Sequence, residues 1–507
     1  MNTITLGGTV TVEDVVAVAR FGAKVAFSKE YRERVIRCRA HVDRFSREGR
    51  AVYGLTTGLG DNWKQFIPEK DRETIQRNNI YAHTGSVGDP IAEECTRAMM
   101  FVMLCHFGSG HTGIRIETLE LIRDMLNAGI SPLVPGHGSV GYLTLEGHIG
   151  MVMIGEGKAW YQGELLDGAE ALRRAGLTPV TLSSKEGLII LSGTTSVTAF
   201  GALALYDAYT LCLTADIAGA FTLEVLKGTL MAMDERIMNV RPHPDQAATA
   251  ANIRAILADS PILERFRGHR LQDALSIRCM PQLHGPVKKA VRDGRATMDI
   301  ELNSSVDNPL IFEDGDDAVA LMGCNADGSY VGMASDLLSI AITDLCKMSN
   351  GRIDRLLNSL VSELPAFLNK NADFNNGLMM IQYTAAGLQG ELRILAHPAV
   401  VDNLTTCANQ EDYVNMGYNA AKKAYDTMHL AKYILAAELI CDGQALDCYD
   451  DKRCAEATGA VYHLLRTKVP EMENDMPLTP NLEAVAQQII DREYIRAVEE
   501  ITGELQF

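Results

Sequence analysis

The 507-residue chain has no basic surplus: 47 Lys and Arg stand against 65 Asp and Glu, a net charge of −18. A protein that grips a phosphate backbone needs dense positive charge, so nucleic-acid binding is excluded as its main task. Its 11 Cys contain no CxxC pair. Scattered cysteines of this kind read as reduced core residues of a cytoplasmic protein, with neither a disulfide framework nor a zinc site. His137 and His148 lack a partner at ligand-like spacing, so no metal is expected. The start, Met1–Gly8, has no basic residues followed by an apolar run and is not a secretory leader. One uncharged stretch, Leu188–Tyr206, approaches membrane length, but Ser192, Gly193, Thr194, Thr195, Ser196, Thr198 and Gly201 interrupt it. It reads as a buried helix with a polar loop rather than a span. There is no internal repeat, low-complexity tract or Pro-rich linker, and strand-like alternation is rare.

What is present is helical. Hydrophobic residues make up 47% and charged residues 22% of the chain, a globular balance. The length fits about three domains or one large helical subunit. Residues 3–6 suit a short strand, and Thr11 with Asp14 suits a capping box ahead of an apolar run. Leu338, Ile342, Leu345, Ile353, Leu356, Leu360 and Leu364 follow helical spacing through one long segment. Tyr425, Met428, Ala431, Leu435 and Leu439 do so in another. These patterns predict a mainly all-α fold, a bundle of long helices with a loop-rich N-terminal active-site region. A division into residues 1–200, carrying the loops, and 201–507, carrying the bundle, is expected.

Short Gly-rich pieces at 54–60, 136–141, 193–201 and 323–332 punctuate the helices, and chemistry concentrates at such places. In Val52–Gly60, Tyr53 lies between turn residues and is a candidate general base. Its ordinary pKa near 10 means that it needs activation. Gly138-Ser139-Val140-Gly141-Tyr142 precedes a helix, where backbone N–H groups can converge on an anion. In Gln272–Gln282, Arg278 sits among polar residues before a proline and suits a two-pronged carboxylate clamp. Glu411 and Asp412 offer adjacent carboxylates for acid–base work. Each segment alone also has a plain reading as a packed turn, cap, surface ion pair or helix start.

Together these segments are specific. Tyr53-Gly54 with Thr57-Gly58, Gly138–Gly141 with Ile154–Gly157, Gln272–Gln282, Val306–Leu310 and Asn409–Asp412 occur in one order, and by them the chain resembles the histidine/phenylalanine ammonia-lyase family over most of its length. The resemblance implies a homotetramer with active sites built from several subunits. It implies that Tyr53 takes the β-proton, Arg278 holds the substrate carboxylate and Glu411 acts on the substrate ring. His83 resembles the His that histidine ammonia-lyases carry there and implies an imidazole-like substrate. Asn308, in the Asp-Asn-Pro turn, is mainly structural.

The chain departs from the family in one place above all. The family has Ala-Ser-Gly after the Gly-Ser-Val-Gly turn, and this tripeptide cyclises into a methylidene-imidazolone electrophile. Here Tyr142 follows Gly141 directly, three residues short, where the family continues with Asp. The family's Asn-Gly-Thr-Gln is Ser192-Gly193-Thr194-Thr195, its lid Tyr is Leu275, and its Asn-Phe-His is Asn325-Ala326-Asp327. An electrophile captures a nitrogen lone pair, which a quaternary amine lacks. The departures therefore suggest the ergothionase branch, with no cofactor: a lyase that eliminates trimethylamine from ergothioneine, a betaine, to give thiourocanate. Asp327, Tyr142 and Ser192 are then expected around the substrate, the first two around the trimethylammonium. The alternatives are a histidine ammonia-lyase whose cyclised Ala-Ser-Gly has dropped out of the written sequence, and a non-catalytic protein binding a histidine-like ligand. A fumarase/aspartase-type lyase lacks support, because no Gly-Ser-Ser loop is present.

Overall fold

Thr11 and Asp14 form the capping box that their spacing predicts. The Thr11 hydroxyl accepts from Asp14 N at 3.3 Å, and Asp14 Oδ2 accepts from Thr11 N at 2.9 Å. The helix that they start, Val12–Ala19, follows the short strand Thr3–Leu6, which pairs in parallel with Lys24–Phe27. The computed structural model describes residues 3–315 and 317–507. Helices dominate it, and its strands are short, gathered in one three-stranded and three two-stranded sheets among the described residues.

The chain forms two compact units, and neither is continuous in sequence. The first contains Met1–Tyr206, Gly294–Asp336 and Pro398–Lys422; the second contains Asp207–Asp293, Leu337–His397 and Lys423–Phe507. A single division after residue 200 falls inside the Thr195–Val225 helix. Four long helices, Thr195–Val225, Met280–Glu301, Ser329–Leu357 and Gly417–Asp447, each give residues to both units.

In the first unit the Lys29–Glu48 helix buries Cys38, Val42 and Phe45 against Ile311 and Ala318 of the Leu310–Asp314/Asp317–Leu321 hairpin. Val52 and Leu55 enter the same cluster. Burying such side chains is worth about 1.5–3 kcal/mol each, so the turn that carries Tyr53 is anchored at both sides of the tyrosine. The Glu186–Leu191 helix and the start of Thr195–Val225 are buried throughout, with a bend at Ser192–Thr194 between them. The segment Glu186–Val225 is long and apolar enough to cross a membrane, but its apolar window is wholly buried inside the protein. Lys185, just before it, is fully buried and pairs with Asp307 while donating to Thr112 O at 3.0 Å.

In the second unit the predicted periodicity of Tyr425, Met428, Ala431, Leu435 and Leu439 falls in the Gly417–Asp447 helix, and all five are buried. The periodicity from Leu338 to Leu364 overruns its helix, which ends at Leu357. Asn358 breaks it by turning its side chain onto Leu360 N, starting the short Ser359–Ser362 helix and leaving Leu360 91% exposed. Two buried charge clusters in this unit are paired. Asp216 accepts from Lys288 at 2.7 Å, His284 at 2.7 Å and Asn252 at 2.8 Å. Arg352 grips Glu438, which also accepts from Thr222 at 3.0 Å.

Candidate functional site

The Tyr53 turn closes through Val52, whose carbonyl accepts from Leu55 N at 3.1 Å and Thr56 N at 3.0 Å. Gly54 sits at φ +66°, and a Cβ there would lie 2.3 Å from Leu188 Cδ2, so the turn demands glycine. The phenol oxygen accepts from Gly60 N at 2.8 Å. Burial raises the Tyr53 pKa above its ordinary value; the Gly60 N–H opposes this, and Cys407 and Glu411 add to it. The phenol is therefore neutral at neutral pH and must be activated to act as a base.

Glu411 faces a second phenol. Tyr142 Oη donates to Glu411 Oε2 at 3.5 Å, and the same oxygen accepts from Thr406 Oγ1 at 3.0 Å. Burial, then Glu411, Cys324 and Asp327, push the Tyr142 phenol far above its ordinary range. Asp327 is fixed at both oxygens: Oδ1 accepts from Ser329 N at 3.0 Å, and Oδ2 from Asn415 Nδ2 at 2.9 Å. Asn415 Oδ1 in turn accepts from Gly417 N at 2.7 Å. The structure thus brings four of the expected residues, Tyr53, Tyr142, Asp327 and Glu411, into one electrostatic neighbourhood of the first unit.

The other expected residues have positions of their own. His83 ends the Arg72–Ala82 helix, and its Nδ1 lies 2.6 Å from Asn79 O. That carbonyl accepts only, so Nδ1 carries the proton and Nε2 is the acceptor of the neutral ring. Ser192 is buried at the end of Glu186–Leu191, with its N donating to Leu188 O at 2.9 Å. Asn308 Oδ1 accepts from Gly323 N at 3.1 Å, linking the Asp-Asn-Pro turn to the segment before Asp327. Arg278 belongs to the second unit, at the end of the short Leu275–Arg278 helix, with its Nε buried and unpartnered.

Two residues escape sequence reasoning. Asn415 orients Asp327 from 88 positions away. Glu146 lies fully buried in the Thr144–Met153 helix, its Oε1 accepting from Ser196 N at 3.1 Å and its Oε2 without a partner. Burial pushes its carboxyl up to about 7. The available signal was a lone acid in the apolar run Leu145–Met153. Among the described residues no group of three or more His, Cys, Asp or Glu is arranged to hold a metal.

The methylidene-imidazolone that the resemblance implies does not fit the residues present. It is made from Ala-Ser-Gly, and no such tripeptide follows Gly141. The turn is also held by its own bonds and by one to the Glu186–Leu191 helix. Gly141 N donates to Ser139 Oγ at 3.2 Å, Leu143 N to Leu191 O at 3.1 Å, and Thr144 N to Tyr142 O at 3.1 Å.

A family model described as aromatic amino acid lyase matches residues 10–467. The histidine ammonia-lyase of Symbiobacterium thermophilum is 42% identical, covering 100% of both chains. That of Caldanaerobacter subterraneus subsp. tengcongensis is 41% identical over 94% of each. Among solved structures, histidine ammonia-lyase from Trypanosoma cruzi has a TM-score of 0.92 at 34% identity, covering 99% of this chain and 96% of that one. The ergothioneine-degrading ergothionase from Treponema denticola has a TM-score of 0.90 at 28% identity, covering 97% and 100%. These similarities overturn the expectation of trimethylamine release from ergothioneine. That expectation rested on a few departures around one turn, whereas likeness at about 40% identity along the whole chain is to histidine ammonia-lyases.

Proposed function

The chain belongs to the aromatic amino acid lyase family, a family of carbon–nitrogen lyases, and from that premise we propose that it eliminates ammonia from histidine or a close histidine-like amino acid. The carrying observation is the full-length identity to histidine ammonia-lyases, read together with Tyr53 and Glu411 in one neighbourhood. Tyr53 takes the β-proton. The Gly60 N–H at 2.8 Å favours its phenolate by donating to the oxygen that carries the charge. Glu411 and His83 meet the imidazole, where a proton held on the ring makes the β-carbon more acidic. Arg278 holds the carboxylate with its planar fork, supplied within a homotetramer whose sites draw on several subunits. Ser192 and Asn308 shape the surroundings. No step is assigned to a methylidene-imidazolone. The scattered cysteines, with no CxxC pair, support a cytoplasmic place for the enzyme.

The test is direct. The purified chain is incubated with histidine, and both the conjugated product, urocanate, and ammonia are followed; phenylalanine and tyrosine serve as comparisons. Histidine is expected to be turned over best. Absence of product from histidine, with turnover of another amino acid, would reject the reading.

A further inference from the structure

Three features of the first unit bear on how the amine leaves. The Gly138–Thr144 turn crosses straight from Gly141 into the next helix. Leu143 sits at φ 78° and ψ −59°, and the Thr144 N to Tyr142 O bond closes a γ-turn around it. A non-glycine residue in that conformation is strained, and it is held by bonds on both sides. Next, the start of the 31-residue Thr195–Val225 helix is capped from within the chain. A free helix N-terminus would polarise an electrophile placed before it. Here Glu146 Oε1 takes the Ser196 N–H at 3.1 Å, and Thr194 Oγ1 is bonded to Glu301. The third feature is Asp327. Both its oxygens are fixed, its surroundings include Tyr142, Cys324 and Glu411, and among the described residues neither Asp327 nor Glu411 has an ion-pair partner. Such surroundings favour a cation.

We infer that this chain forms no backbone-derived electrophile, and that it eliminates from a nitrogen that is already cationic, the α-ammonium of its substrate held at Asp327. The inference rests on the lyase reading above and adds to it how the nitrogen is carried. The step balances without a co-reactant. Tyr53 first gives its phenol proton to solvent; the Cβ–H bond then breaks and its proton passes to the resulting phenolate, which the Gly60 N–H at 2.8 Å stabilises. The released pair becomes the Cα=Cβ bond, the Cα–N bond breaks, and its electrons leave with the nitrogen. An ammonium departs as neutral ammonia and needs no proton at that moment, so no captured amine is required. Keeping the amine protonated is then the task, and a carboxylate beside it does this.

Two measurements test the inference without depending on turnover. Intact mass of the purified protein should equal that of the encoded chain, and borohydride should leave it unchanged. A mass carrying a cyclised, twice-dehydrated tripeptide, or a borohydride adduct, would overturn it. Calorimetry then compares histidine with 3-(imidazol-4-yl)propionate, which lacks only the amine. The wild type should prefer histidine by about fivefold, the scale of one partly exposed charge pair. Asp327→Asn should abolish that preference, and Asp327→Glu should retain part of it. An Asp327→Asn protein that keeps the full preference would place the ammonium elsewhere. An unmodified mass and an Asp327-dependent preference without histidine turnover would remove the lyase reading alone. Turnover by a chain with a modified mass would remove this inference alone.

Discussion

Tyr142 and Glu411 are 269 positions apart, yet the phenol of one points at the carboxylate of the other, 3.5 Å away. The contact ties the shortened turn after Gly141 to the segment before the Gly417–Asp447 helix. It also puts a carboxylate within electrostatic reach of both Tyr53 and Tyr142.

On the proposed reading, Tyr53→Phe removes the atom that accepts the β-proton and leaves the ring in its packed turn. Turnover should fall about 100- to 10,000-fold, the usual worth of a general base, with the loss in kcat rather than KM. Steady-state kinetics on histidine read both constants. Activity within about twofold of the wild type would assign the base to another group.

Arg278→Lys keeps the charge but loses the planar fork. We expect kcat/KM to drop by about tenfold or more, in line with a lost two-pronged carboxylate contact. Equal kcat/KM for the two proteins would move the carboxylate site.

Glu146 makes stability depend on pH in a defined direction. Its carboxyl titrates at about 7 when folded, because of burial, against an ordinary value of 4.5. The folded state therefore holds the proton more tightly than the unfolded chain. Stability is fully present below pH 4.5 and is lost as pH rises through about 7. A shift of this size corresponds to about 3 kcal/mol. Glu146→Gln should flatten the decline, so that the variant gains Tm relative to the wild type at pH 8 but not at pH 5. Parallel Tm–pH curves for the two proteins would show that Glu146 does not titrate in this range.

Lys185→Met strands Asp307 as an unpaired buried carboxylate, since both side chains are within 1% of full burial. Removing one partner of such a pair costs about 3–5 kcal/mol. Urea unfolding should show this as a lower midpoint, and the double variant Lys185→Met/Asp307→Leu should recover much of it. A single variant as stable as the wild type would mean that the pair contributes nothing.

The sequence by itself determined the helical class, the Thr11 capping box and the buried face of Gly417–Asp447, because each depends on residues three or four apart in one segment. It also determined the family, through motifs kept in order, and the absence of Ala-Ser-Gly after Gly141. It did not determine the substrate: the departures at Tyr142, Ser192 and Asp327 suggested a trimethylammonium leaving group, and likeness along the whole chain to histidine ammonia-lyases corrected that. Only the tertiary structure decided the rest. Two discontinuous units replace a division after residue 200, because a long helix can serve two units where no linker separates them. The Leu338–Leu364 pattern stops at Leu357 because the Asn358 side chain competes locally for a backbone N–H. Glu146 meets Ser196, Asn415 orients Asp327, and Tyr142 faces Glu411 across 50, 88 and 269 positions. No local spacing encodes such pairs; burial selects them, because a polar group taken out of water must find its partner wherever the chain returns.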